Sequence, residues 1–322
     1  MPAKTKFELK PGPATREAFG RALVELGREN PGIVACDADL AKSTMTTYFA
    51  KEFPNRFFSY GIAEANMVAQ AAGMALAGKI PFVASFSAFA INKGFEQLRV
   101  CVAYPNTNVK VVGTHSGISI GEDGPSQMSV EETGLACSLP GFIVLSPADE
   151  GATKALVRAA AAHVGPVFIR TGRPKAPLIY NGDQKFEIGK AVELIEGSDV
   201  TLIANGLLVA EAIRASETLE AEGVSARVLD MHTVKPLDRD AIRRAAAETG
   251  AIVSAEEHLV DGGMGVRIAQ VVAEVQPCPM EFVGIRNTYA ESGTPAELLE
   301  KYGLVARDIA AAARRVLARK RR

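Results

Sequence analysis

Short apolar, β-branched runs alternate with segments of helical period along most of the chain. Runs 32–36, 81–86, 109–113, 142–145 and 166–169 are nearly continuous in apolar residues, with little polar alternation, the pattern of strands covered on both faces. Between them the period shifts to that of a helix. Phe19, Ala22, Leu23 and Leu26 form one stripe with Thr15 as its predicted N-cap, and residues 65–77 form an Ala-rich helix opened by Glu64. Asp149 caps a third helix running to about Ala162. Strands alternating with helices predict a parallel sheet with crossover helices, hence an α/β fold. Residues 171–189 interrupt this rhythm with two prolines, three glycines and no helical period, and read as a connection between domains. A second set follows: strand 200–204, helix 209–221, strand 226–229, helix 239–248 and strand 251–255. The expected organisation is a first domain over 1–172, a linker over 173–189, and a smaller α/β domain over 190–322.

Composition narrows the function. A chain of 322 residues with 48% hydrophobic residues can bury two cores. Its 36 Lys and Arg against 37 Asp and Glu give a net charge of -1, which argues against a nucleic-acid binder relying on a global positive field. Any anion site must be local. The basic end, ARRVLARKRR, reads as a helix terminus whose cations complement the helix dipole. The longest uncharged stretch, 133–148, is broken by Pro140 and falls short of the roughly 18 apolar residues of a membrane span. The first residues, MPAKTKFELKPGP, lack the apolar core of a secretory signal, so a cytoplasmic location is expected. Cys36, Cys101, Cys137 and Cys278 form no C-x-x-C pair and read as buried free thiols.

Three polar clusters follow predicted strand ends, where open parallel sheets bind ligands. They are Asp37 to Thr44, Ser59 to Met67, and the Gly-rich stretch from Thr114 to Met128. Glu64 sits at a helix start in an otherwise apolar stretch. One reading is a carboxylate in water complementing the helix dipole; the other is a partly buried acid able to share a proton with a heterocyclic nitrogen.

GIAEANM, SFSAFAINKGFEQLR, THSGISIGEDGPSQMSVEE, FIRTGRPKAPLIY, HTVKPLD and EEHLVDGGMG occur in that order. Together they resemble the C-terminal two-thirds of transketolase, over about residues 14 to 310. The resemblance implies a thiamine-diphosphate-fold pyrimidine-binding domain followed by a transketolase C-terminal domain. It implies that Glu64 hydrogen-bonds N1′ of the cofactor's aminopyrimidine, with Phe86 and Phe89 packed against that ring. Asn92 stands where relatives often carry a larger aromatic or basic side chain. For a sugar phosphate it implies Arg16, Ser43, His115 and Arg170, since two guanidinium groups, a hydroxyl and an imidazole can surround one phosphate dianion. Asp123 falls on the aspartate that tests a substrate hydroxyl, and Gln127 replaces a histidine found in some transketolases.

A whole transketolase also carries a domain with G-D-G and an asparagine that hold Mg²⁺ or Ca²⁺ on the cofactor diphosphate. The nearest string here is Asn181-Gly182-Asp183, with no glycine after the aspartate. The resemblance therefore implies one subunit of a split transketolase, with an N-terminal partner subunit carrying the diphosphate domain and metal, two copies of each, and a default role in the pentose phosphate pathway. Specialised split transketolases for apiose-derived or sulfonated sugars would carry much the same motifs. Competing readings are the beta subunit of a 2-oxo-acid dehydrogenase, a deoxyxylulose-phosphate synthase-like fragment, and a non-catalytic homologue that only binds a partner.

Overall fold

The computed structural model describes residues 7–180, 182 and 184–320, so Asn181 and Asp183 of the N-G-D string lie outside the described residues. The chain opens with β1 (Pro11–Ala14) and then lays down β2 (Ile33–Asp37), β3 (Phe57–Ser59), β4 (Ile80–Phe86), β5 (Lys110–Thr114), β6 (Ile143–Leu145) and β7 (Val167–Arg170). β8 (Lys175–Pro177) follows, then β9 (Val192–Ile195), β10 (Val200–Ala204), β11 (Ala226–Asp230), β12 (Thr233–Lys235), β13 (Ile252–Leu259) and β14 (Met280–Ile285). The α/β expectation holds: one sheet has the order β12-β6-β7-β5-β4-β2-β3 and a second has β14-β13-β10-β11-β9. Pairing is parallel throughout the larger sheet except where β12 joins antiparallel to β6.

Alternation along the strands builds two faces. Phe82 and Val112 point into a core with Phe19, Leu23 and Leu156 of the helices Thr15–Glu29 and Glu150–Ala162. Val83 and Val111 point the other way, toward Met67 and Val68 of the helix Glu64–Leu76. That second core continues without a break into Ala241, Ile242, Met264 and Ile268 of the second half. Phe86, Ile118 and Met128 likewise share a cluster with Leu202, Leu208 and Val253. The two halves thus bury apolar surface against each other, and the ends of β4, β5 and β7 are held from both sides.

Several expectations need correction. Thr15 is the first residue of its helix rather than the N-cap, and its hydroxyl accepts a hydrogen bond from Gly172 N at 2.8 Å, tying the helix start to the segment after β7. The stretch 171–189 holds a strand, β8, paired antiparallel with β1; the prolines of both sit at this small sheet's edges, where a missing N–H is tolerated. β12 leaves its own half to extend the first sheet. Only Cys36 and Cys137 are buried, whereas Cys101 and Cys278 are half-buried; all four are free. Asp149 does cap its helix, accepting from Ala152 N at 2.8 Å. At the basic end, Arg315 and Arg319 pair with Glu281, and Lys320 reaches the carbonyl of Thr249.

Candidate active site

The larger sheet reverses its winding at β2, with β3 on one side and β4 on the other, and its carboxyl edge collects the polar clusters. Asp37, the last residue of β2, organises the loop that follows. Its buried carboxylate accepts from Leu40 N at 2.6 Å and from the hydroxyls of Thr44 at 2.7 Å and Thr46 at 2.9 Å. Burial pushes its carboxyl upward, opposed by those three hydrogen bonds. This scaffold presents Ser43, whose carbonyl accepts from Arg16 Nη1 at 2.6 Å.

Glu64 opens the helix Glu64–Leu76 and is 3% exposed, so its carboxylate is buried rather than in water. Lys93 Nζ stands 3.6 Å from Glu64 Oε2 and 4.4 Å from the centre of the Phe89 ring. Phe89 stacks on Phe86 with centroids 5.6 Å apart, and Phe86 lies against the imidazole of His115 at 3.9 Å. An acid, the Lys93 ammonium, two aromatic faces and an imidazole therefore follow one another beside the ends of β4 and β5. Asn92 turns elsewhere, donating to Glu131 Oε1 at 2.7 Å.

His115 follows β5 with φ at +58°, a left-handed conformation that a non-glycine residue adopts only when its surroundings hold it there. Its Nε2 lies 3.3 Å from Arg16 Nη1 and its Nδ1 2.8 Å from Thr114 Oγ1. A guanidinium can only donate, so Nε2 is the acceptor and the ring proton sits on Nδ1, directed at Thr114. Burial, reinforced by the charges of Arg16 and Arg173, pushes His115 down to about 3, so the ring is neutral near pH 7. Arg16 keeps a buried Nε with no partner among the described residues. Arg173 donates to the carbonyl of Ile120 and to Glu122 Oε2, the latter at 2.9 Å, and is close enough to act electrostatically on both Arg16 and His115. Two guanidinium groups beside a neutral imidazole give this edge a local positive charge in a chain of net charge -1.

The structure thus brings together Glu64, Phe86, Phe89, His115 and Arg16, with Ser43 contacting Arg16 through its backbone. Arg170 is held differently. Its guanidinium is 6% exposed and bonded to Glu132 Oε1 at 2.6 Å and to the carbonyl of Glu257 at 2.7 Å. Arg173, three residues on in FIRTGRP, is the arginine whose charge acts on both Arg16 and His115. Asp123 is exposed in the Gly-rich loop, and Gln127 is half-buried, its Oε1 accepting from Ser126 Oγ at 2.6 Å.

The family model described as "Transketolase, pyrimidine binding domain" matches residues 11–177 and that described as "Transketolase, C-terminal domain" matches residues 189–309. The chain belongs to the transketolase family. It is 42% identical over 305 residues to the 6-deoxy-6-sulfo-D-fructose transketolase subunit of Clostridium sp., covering 95% of each chain. It is similar to a solved structure titled "Split gene transketolase, inactive beta4 tetramer", with 49% identity, a TM-score of 0.90, and coverage of 96% of this chain and 100% of that one. Human transketolase is 39% identical over 318 residues, which are 98% of this chain but 51% of that protein.

Proposed function

We propose that this chain is the C-terminal subunit of a two-subunit, thiamine-diphosphate-dependent transketolase that moves a two-carbon ketol unit from a ketose phosphate to an aldose phosphate in the cytoplasm. The observation that carries this reading is the line from Glu64 through Lys93, Phe89 and Phe86 to His115 and Arg16 at one sheet edge. The donor set fits an aminopyrimidine: a buried carboxylate for a ring nitrogen beside aromatic faces that would set the ring plane. When bound, thiamine diphosphate supplies the electron sink that allows a ketose C2–C3 bond to break.

This chain's residues do the rest. Glu64 holds a proton at pyrimidine N1′, and Phe86 and Phe89 orient the ring. Arg16, Arg173 and His115 grip the terminal phosphate, with Ser43 shaping that pocket. Arg173 takes the place that the resemblance assigns to Arg170. His115 enters as a neutral ring, and to donate from Nε2 to a phosphate oxygen it takes the other tautomer, with Nδ1 then accepting from the Thr114 hydroxyl. Asp123 and Gln127 meet the substrate hydroxyls nearest the carbonyl. The diphosphate and its Mg²⁺ or Ca²⁺ belong to an N-terminal partner subunit, with two copies of each chain and active sites between them.

The test is reconstitution with the partner, followed by assays of ketol transfer from xylulose 5-phosphate, of its sulfonated analogue, and of pyruvate decarboxylation. Ketol transfer is expected from the pair and not from this chain alone. Glu64→Ala should lower it by about 100-fold or more, the scale of a lost general acid or base. Unchanged activity in that variant would favour a non-catalytic partner-binding role, and pyruvate turnover would favour a 2-oxo-acid dehydrogenase subunit.

A further inference from the structure

Where β7 meets the second half of the chain, three charges are buried together. Arg170, Glu132 and Glu257 are 6%, 0% and 2% exposed. Arg170 Nε donates to Glu132 Oε1, Nη2 donates to the carbonyl of Glu257, and Nη1 lies 4.0 Å from Glu257 Oε2. Glu257 comes from β13, in the other sheet, yet its Oε1 accepts from Ser119 N at 2.6 Å in the loop that follows His115. The carboxylate lies flush against that loop. A Cβ added at Gly117, where φ is +80°, would sit 2.2–2.6 Å from the Glu257 carboxyl atoms. Neighbouring backbone bonds extend the seam: Leu259 N donates to Val130 O at 2.8 Å, and Gly117 N to Ser129 O at 2.8 Å.

The same stretch of chain fixes the anion receptor from the other side. Thr171, next to Arg170, accepts from Ser116 N at 3.2 Å, and Gly172 accepts from Arg16 N at 3.4 Å. Any shift of Arg170 is therefore passed to the residues flanking His115, to the start of the Arg16 helix, and to Arg173. Burial pushes the Glu257 carboxyl upward, opposed by the charge of Arg170, and Glu132 Oε2 and Glu257 Oε2 have no hydrogen-bond partner among the described residues. A planar guanidinium can donate to one acid and to the other's backbone carbonyl while keeping its third nitrogen within ion-pair range of that second carboxylate, which a lysine cannot reproduce.

We propose that Arg170 and Glu257 are positioning residues for the phosphate receptor: they lock the second half of the chain beneath the His115 loop and contact no substrate. The inference rests on the ketose-phosphate reading above. It goes beyond that reading in making an acid from the other half of the chain, itself repellent to phosphate, a determinant of phosphate binding.

Arg170→Lys, Glu257→Gln and the double variant decide it, each reconstituted with the partner and assayed for KM and kcat with a phosphorylated ketose and with a non-phosphorylated ketol donor. Inorganic phosphate is titrated into each chain alone by phosphorus NMR. Both single variants should raise the phosphorylated-ketose KM about tenfold, leave the other donor's KM unchanged and weaken inorganic phosphate in parallel, with the double variant less than additive. A raised KM in Arg170→Lys with none in Glu257→Gln would make Arg170 a direct ligand and overturn the proposal. So would an unchanged KM in both, or a lowered melting temperature with KM intact. Phosphate titration reads the receptor even if the reconstituted pair catalyses another reaction, so failure of the reaction assignment is distinguishable.

Discussion

Arg170 and Arg173 are near neighbours after the same strand, and the structure puts them to opposite uses. Arg170 is buried, matched by two carboxylates and a carbonyl, with every direction of its guanidinium directed at the chain's own seam. Arg173 is half-buried and faces Arg16 and a neutral His115, with exposed Glu122 as its carboxylate partner. A cation whose charge is satisfied inside the fold holds the fold together. Arg16 and Arg173 repel each other and a neutral imidazole lies beside them, so on the proposed reading a bound phosphate is what offsets their proximity.

The comparison breaks first on stability. Arg170→Met strands Glu132 and Glu257 in the interior, and should cost about 3–5 kcal/mol in denaturant unfolding. Arg173→Met removes the pair with exposed Glu122 and the hydrogen bond to the Ile120 carbonyl, and should cost about 1–2 kcal/mol. Equal losses in the two variants would erase the distinction. The second effect runs the other way: in the reconstituted pair, Arg173→Met should raise the KM for a phosphorylated ketose by about 10- to 100-fold, the scale of a charge-assisted hydrogen bond worth roughly 1.5–3 kcal/mol. A KM unmoved by this change would remove Arg173 from the receptor.

The smallest effect reads the receptor through pH. His115 is held at about 3 against an ordinary 6.5, so the unfolded chain takes up a proton that the folded chain refuses. Its share of stability is complete above pH 6.5 and is lost as pH falls toward 3, at up to about 1.4 kcal/mol per pH unit. His115→Asn should flatten the stability profile by that one-proton slope between pH 6.5 and 5, measured as the difference between the two proteins' denaturation midpoints. His232, also pushed down by burial to about 4, remains in both and cancels.

Much of this molecule was legible beforehand. The five strands read in the first half lie within a residue of β2, β4, β5, β6 and β7, because a strand covered on both faces is apolar at most positions. Glu64, Phe86, Phe89 and His115 were named through the resemblance to transketolase; the structure puts Glu64 at a helix start, Phe86 at the last position of β4, Phe89 three residues on, and His115 directly after β5. The missed features share a cause. β1 and β8 are too short and too rich in proline to show a period, and each exists only because the other pairs with it. β12 joins a sheet built from residues far earlier in the chain. Asp37, which builds the Ser43 loop, carries no signal beyond a carboxylate near threonines.

The sequence by itself determined the fold class, the strand edge on which chemistry gathers, and the family, because periodicity and local motifs are properties of neighbouring residues. Which of two arginines faces solvent, which carboxylates neutralise the other, and how β13 reaches beneath the His115 loop were decided by the tertiary structure. Charge compensation depends on distance in space, and Glu257 and Arg170 come within reach only after both sheets have packed.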